Sequence, residues 1–191
     1  MNINSDIPWI KQVLDGNTNA FRNIVNTHKD RAFNLAFRIC RNREEAEEII
    51  QDSFMKAYRS LGDFRMDSSF TTWFYRIVYN TSVSFLRTKK DNNINLDTNF
   101  TEKYRYSEIN SYEYEAESEY NRILVNRALG KLNDEERGII SLFYYDELSL
   151  NEIAAITGET VSNIKVKLHR SRKKMSEALT VDKTKEVMQN E

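Results

Sequence analysis

Lys165, Lys167, Arg170, Arg172, Lys173 and Lys174 crowd one short stretch, and no acid falls between Thr160 and Ser176. Val166 and His169 are interleaved with them. Such a set neutralises phosphates, and its arginines and lysines can also hydrogen-bond base edges in a groove. The plain alternative is a helical hairpin with a solvated, lysine-rich face. Bond-making chemistry is poorly provided for. His28 and His169 lie far apart in the chain, no glycine-rich phosphate loop exists, and the carboxylates sit on helix faces without a recognisable acid/base pair. Cys40 is the single cysteine, which excludes an intrachain disulfide and argues against a cysteine-based metal site. No catalytic residue, metal, cofactor or small-molecule substrate is expected.

The elements that must carry the basic residues run from Leu148 to Met175. Ser149 followed by Glu152 is a capping box that starts one helix, with Ile153, Ala154 and Ile156 on its apolar side. Gly158 can take the left-handed conformation that ends it. Thr160 caps a second helix, which keeps Ile164, Leu168 and Met175 on one face and the cations elsewhere. A short helix, a glycine-containing turn and a cationic helix are the parts of a DNA-reading helix-turn-helix.

The chain has 191 residues, of which 40% are hydrophobic and 30% charged, so a folded chain of one or two small domains is expected. One proline and five glycines favour long helices. The net charge of −1 hides segregation. Asp91, Asp97, Glu102, Glu108, Glu113, Glu115, Glu117 and Glu119 face only Lys103 and Arg105 within residues 91–119. A near-neutral total therefore leaves a nucleic-acid partner open, because a phosphate meets the local field. No apolar run approaches a membrane span and no signal-peptide pattern opens the chain, so a cytoplasmic protein without direct membrane insertion is expected.

Periodicity outlines an all-α chain. A short helix over residues 6–15 has Pro8 in its first turn and Gly16 at its close. The next carries Phe21, Ile24, Val25, His28, Ala32, Leu35, Ala36 and Ile39 in one row, which makes His28 a core histidine. A third, from about Glu44 to Leu61, buries Ala46, Ile49, Ile50, Phe54, Ala57, Tyr58 and Leu61. Its other face, Glu48, Gln51, Asp52, Met55 and Arg59, reads on pattern alone as solvated. After a polar loop, a fourth runs from Phe70 to about Thr88 with Phe70, Trp73, Phe74, Ile77, Val78 and Phe85 inward, and Tyr75, Arg76, Tyr79 and Asn80 elsewhere. Its aromatics, with arginine and asparagine among them, could stack on unpaired bases or be core. The period fails from Lys89 to about Ser118 and resumes at Glu119. The expected domains are 1–90, an acidic flexible linker at 91–118, a helix-turn-helix domain at 119–181, and a tail at 182–191.

The runs Ala46–Tyr58 and Phe64–Ile77 resemble region 2 of bacterial sigma factors, and Leu132–Met175 resembles region 4. With no middle domain between them, the likeness is to the extracytoplasmic-function group. The resemblance implies a subunit that binds core RNA polymerase and directs promoter recognition and melting, regulated by an anti-sigma factor. It implies that Glu48, Gln51, Asp52 and Met55 dock on the polymerase. The loop and the start of the next helix, Phe64, Arg65, Asp67, Ser68, Ser69, Phe70, Arg76 and Asn80, would capture a base of the melted promoter. Phe64 would offer an aromatic surface and the serines and Asn80 a hydrogen-bonding edge; alternatively Phe64 anchors the loop and the serines cap the helix. Lys165, Val166, His169 and Arg170 match positions that read the upstream element, with Lys167, Arg172 and Lys173 on phosphates. Four departures stand out: Met66 for a loop glycine, Asn133 for a proline, Ser162-Asn163 for Gly-Thr, and Val166 for a small polar residue. A stand-alone helix-turn-helix regulator is the competing class, and it would leave the Gln51-Asp52 face and the aromatic loop without a purpose.

Overall fold

The computed structural model describes residues 5–93 and 116–189, and these residues contain helices and no strand. Most of the expected acidic linker lies outside them. Helix α1 spans Ile7–Leu14 and α2 spans Phe21–Cys40, with a 3-10 turn at Thr18–Ala20 between them. Helices α3 (Arg43–Arg59) and α4 (Phe70–Asn93) complete the first bundle. Asn42 starts α3 by accepting the Glu45 N–H on its side-chain oxygen at 3.0 Å. Beyond Leu86 nothing in the sequence breaks α4, so it continues past Thr88 to Asn93.

The core of this bundle is where periodicity places it. Ile24, Leu35 and Ile39 of α2, Ala46, Ile49 and Ala57 of α3, and Phe74 and Val78 of α4 are fully buried. Phe54 and Phe74 meet at 4.6 Å between ring centroids, and Phe74 stacks on Phe70 at 5.8 Å. His28 is buried as well, with Nε2 3.0 Å from Asp6 Oδ1 and its ring 5.2 Å from that of Phe70. Tyr58 is the exception in the expected row: it is 38% exposed and packs edge-on against Phe21.

Helices α5 (Ala116–Leu129), α6 (Asp134–Tyr144), α7 (Leu150–Thr157) and α8 (Val161–Gln189) form the second unit. Ile139, Ile140, Leu142, Ile153, Ile156, Ile164 and Leu168 fill its centre. Two complete capping boxes start α6 and α7, Asn133 with Glu136 and Ser149 with Glu152. Asn133, the departure from proline, thus has a structural use as an N-cap. Helix α8 continues to Gln189, through the segment expected to be a tail.

The two units are packed together: α6 lies on α2 and α7 on α4. Arg137 Nε donates to the Ile39 carbonyl at 2.9 Å, the Arg38 guanidinium sits 3.9 Å above the Tyr145 ring, and Lys90 pairs with Asp134 at 2.6 Å. A Cβ at Gly138 would fall 2.6 Å from the Tyr79 ring, so this glycine allows the close approach. The packing corrects the reading of α4. Tyr75 and Tyr79, away from the row expected to be buried, are 1% and 4% exposed because the second unit covers them.

Candidate functional site

Glu48, Gln51, Asp52 and Met55 share one face of α3 and are all exposed. Spacings of three and four residues place them in a continuous stripe opposite Ile49, Ser53 and Ala57. Asp52 pairs with Lys56 at 2.7 Å, one turn along the same helix and with both side chains about half exposed. A surface pair of this kind holds the carboxylate only weakly. The face is acidic and polar, with the Met55 thioether at its far end.

The loop before α4 is anchored from inside. Phe64 is buried, 5.8 Å from the Phe70 ring and 5.2 Å from that of Trp73. Its ring and that of Phe70 are therefore core contacts, not free stacking surfaces. Ser69 accepts the Thr72 N–H at 3.1 Å and lies 2.9 Å from the Thr72 hydroxyl, while its carbonyl accepts the Trp73 N–H. It is the N-cap of α4. Between these anchors Arg65, Met66, Asp67 and Ser68 stand exposed. Met66 has φ +60°, the left-handed region that favours glycine, which gives the expected loop glycine a physical reason. Arg76 and Asn80 are exposed one turn apart on α4, and Ser84 and Arg87 extend the same polar stripe. The loop residues Arg65, Asp67 and Ser68 and the α4 stripe thus all present exposed polar side chains.

In α8 the buried side is Ile164, Leu168 and Ser171, with Met175 half-buried. Val166, His169, Arg170 and Lys173 centre on the opposite face, and Lys165 borders it; all five are exposed. Gly158 ends α7 with φ +75°, and Thr160 accepts the Asn163 N–H at 3.2 Å to start α8. The turn thus projects the outward face from a short rigid hairpin. The flanks are occupied differently. Arg172 lies 5.4 Å over both the Phe143 and Tyr144 rings. Lys167 pairs with Glu159 and Glu135, and Lys174 with Glu136. Burial pushes the Glu136 carboxyl up, yet the Lys174 hydrogen bond and the Asn133 N–H hold it below its usual value.

Three features of the surroundings complete the picture, and of these only the buried Cys40 follows from its place in an apolar helical row. Tyr75 donates its hydroxyl to Asp146 Oδ1 at 3.0 Å across the seam between the units, and Asp146 Oδ2 is buried without a hydrogen-bond partner. Burial raises the Asp146 carboxyl; the Tyr75 hydrogen bond and the Arg38 and Arg31 charges offset part of that. Burial also pushes the Cys40 thiol up to about 11, which disfavours the thiolate. Finally, α5, α6 and α8 border an open, largely apolar groove of about 590 Å³ lined by Val125, Leu129, Ile140, Tyr144 and Met175. Among the described residues no group of His, Cys, Asp and Glu could hold a metal, and no helix is long and apolar enough to cross a membrane.

The chain matches two family models in order, Sigma-70 region 2 over residues 24–91 and Sigma-70, region 4 over residues 122–175. It is 36% identical to the ECF RNA polymerase sigma factor SigW of Bacillus subtilis over 177 residues, 89% of this chain and 94% of the relative. It is 31% identical to the ECF RNA polymerase sigma-E factor of Escherichia coli K12 over 174 residues, 88% and 91% of the two chains. Among solved structures it resembles CnrH in complex with the cytosolic domain of CnrY, with a TM-score of 0.66 and 25% identity over 93% of this chain and 98% of that one. It also resembles RpoE of Bartonella quintana in complex with the anti-sigma factor NepR, with a TM-score of 0.69 and 25% identity over 85% and 98%.

Proposed function

The chain belongs to the extracytoplasmic-function group of bacterial sigma factors, and we propose that it divides its work between the outward faces of α3, α4 and α8. It binds core RNA polymerase and directs promoter recognition and DNA melting. Glu48, Gln51, Asp52 and Met55 dock on the polymerase, an exposed face whose Asp52 pairs only weakly along its own helix. Arg65, Asp67 and Ser68 of the anchored loop, with Arg76 and Asn80 of α4, hold the melted strand. Phe64, Ser69 and Phe70 support that surface from beneath. Lys165, Val166, His169 and Arg170 read the upstream element, where the Val166 side chain suits a thymine methyl, and Arg172 and Lys173 meet phosphates beside them.

The role calls for binding energy and not for covalent chemistry. Unstacking costs about a few kcal/mol per base, and capture of the extruded base recovers it. An anti-sigma factor is the natural regulator, by analogy with the NepR complex of the Bartonella relative. The carrying observation is that an acidic-polar face and a basic face, both outward, occur on one chain in family order. Reconstitution with core polymerase, followed by sequencing of transcript starts on genomic DNA, is the test. We expect starts that share a two-element promoter; starts indistinguishable from those of core polymerase alone would refute the assignment.

A further inference from the structure

Lys167 stands apart from the rest of the basic run. Its Nζ lies 2.7 Å from Glu159 Oε1 and 2.8 Å from Glu135 Oε2. Glu159 belongs to the turn between α7 and α8, Glu135 to the first turn of α6, and Lys167 to the second turn of α8. One ammonium group therefore joins three elements. Its side chain is 31% exposed, whereas Lys173 on the outward face is 74% exposed. Partial burial pulls the Lys167 ammonium down, but the two glutamates more than offset this and hold it above the ordinary lysine value.

The buried stripe of α8 is narrow: Ile164, Leu168, Ser171 and Met175. Such a stripe fixes how far the helix stands from α6 and α7, but it resists rotation about the helix axis only weakly. Lys167 supplies that resistance on one flank. Lys174 does the same seven residues on, two turns along the same flank, through Glu136 at 2.6 Å. The two ties hold the helix from the side while Val166, His169 and Arg170 point away from its buried stripe.

We propose that Lys167 is a positioning residue for promoter reading: it pins α8 to the turn and to α6, and so sets the angle at which Val166, His169 and Arg170 enter the groove. This rests on the reading of α8 as the groove helix. It gives Lys167 two carboxylates as partners in place of a phosphate.

Holoenzyme binding to two duplexes tests it, one carrying a promoter mapped by transcript-start sequencing and one with its upstream element scrambled, each measured across a range of salt. The variants are Lys167→Met, Lys167→Arg and the double Glu135→Gln with Glu159→Gln. Lys167→Met should lower the preference for the mapped promoter roughly tenfold and leave the salt slope unchanged. The double glutamine variant, which alters no residue assigned to DNA, should lose the same preference, and Lys167→Arg should restore most of it. A phosphate contact gives the opposite pattern. Lys167→Met would then reduce the slope by about one unit with the preference intact, and the double variant would tighten binding to both duplexes by freeing a lysine. Either result overturns the proposal. If the unmodified holoenzyme shows no preference between the duplexes, α8 is not the groove helix and the proposal falls with that reading.

Discussion

The acidic face of α3 and the basic run of α8 are equally visible as charge in the sequence, and the fold treats them differently. On α3 every member of the face is exposed, and Asp52 finds its partner only one turn along its own helix. On α8 the run is split. The outward group is exposed, with Lys173 paired only loosely to Glu177 one turn along its own helix, Arg172 lies over the aromatic end of α6, and Lys167 and Lys174 are held by α6 and the turn. A run of like charge is thus an inventory of what is present, and neighbouring helices decide how much of it is offered.

The largest expected effect breaks the α3 side. Asp52→Lys should weaken core-polymerase binding by about a few kcal/mol, because reversal adds repulsion to lost attraction. Helix content should not change, since the pair it removes is exposed and worth about 0.3–0.5 kcal/mol. Titration of labelled protein with core polymerase at two salt concentrations checks it, and unchanged affinity would remove α3 from the interface. On the α8 side, Arg170→Ala should flatten discrimination at one or two upstream base pairs by about 1–3 kcal/mol. Lys173→Ala should weaken all sequences alike and lower the salt slope by about one unit. A change of sequence preference in the Lys173 variant, with Arg170→Ala neutral, would reverse the two roles.

Support and contact part in the loop. Ser69→Ala should cost about 1 kcal/mol of thermal stability through the lost cap. Asn80→Ala should stay within about 0.5 kcal/mol of the unmodified protein and yet accumulate little open complex by permanganate footprinting. Normal opening would free Asn80 of its role.

The two units meet at a seam that buries Asp146 Oδ2, and the Asp146 carboxyl gives a way to test how firmly the seam is closed. Its carboxyl is raised when the seam is closed, so the closed state is favoured most below the ordinary aspartate value and loses that advantage as pH rises through the raised one. Asp146→Asn removes the charge that must be buried and should hold the seam closed at neutral pH with a flatter pH dependence, read by small-angle scattering. The smallest effect belongs to Met66→Gly. Relief of the left-handed strain, about 1–2 kcal/mol, offset by the added freedom of glycine in the unfolded chain, about 0.5–1 kcal/mol, leaves a stabilisation of about 0–1.5 kcal/mol in chemical denaturation.

Local devices were readable from the chain alone because they depend on near neighbours. The Ser149–Glu152 box, the Gly158 turn, the Thr160 cap and the core place of His28 all stand as their spacing implies. What depends on the packing of distant segments was hidden. Tyr75 and Tyr79 point away from the row that periodicity selects, and only the docking of α6 and α7 buries them. The Lys167 clamp joins residues 8 and 32 positions apart, beyond any helical repeat. Phe64 sits in a polar loop, where composition cannot tell an anchor from an exposed ring, and the fold places it in the core.

The sharpest test of the division of labour places a photo-cross-linking amino acid at Met55 in one variant and at Val166 in another, the exposed apolar members of the two faces. Each is irradiated in the complete promoter complex. The account predicts that the Met55 probe joins a polymerase subunit and leaves the DNA unlabelled, while the Val166 probe joins the upstream element. Upstream DNA attached at position 55, or polymerase alone at position 166, would contradict it.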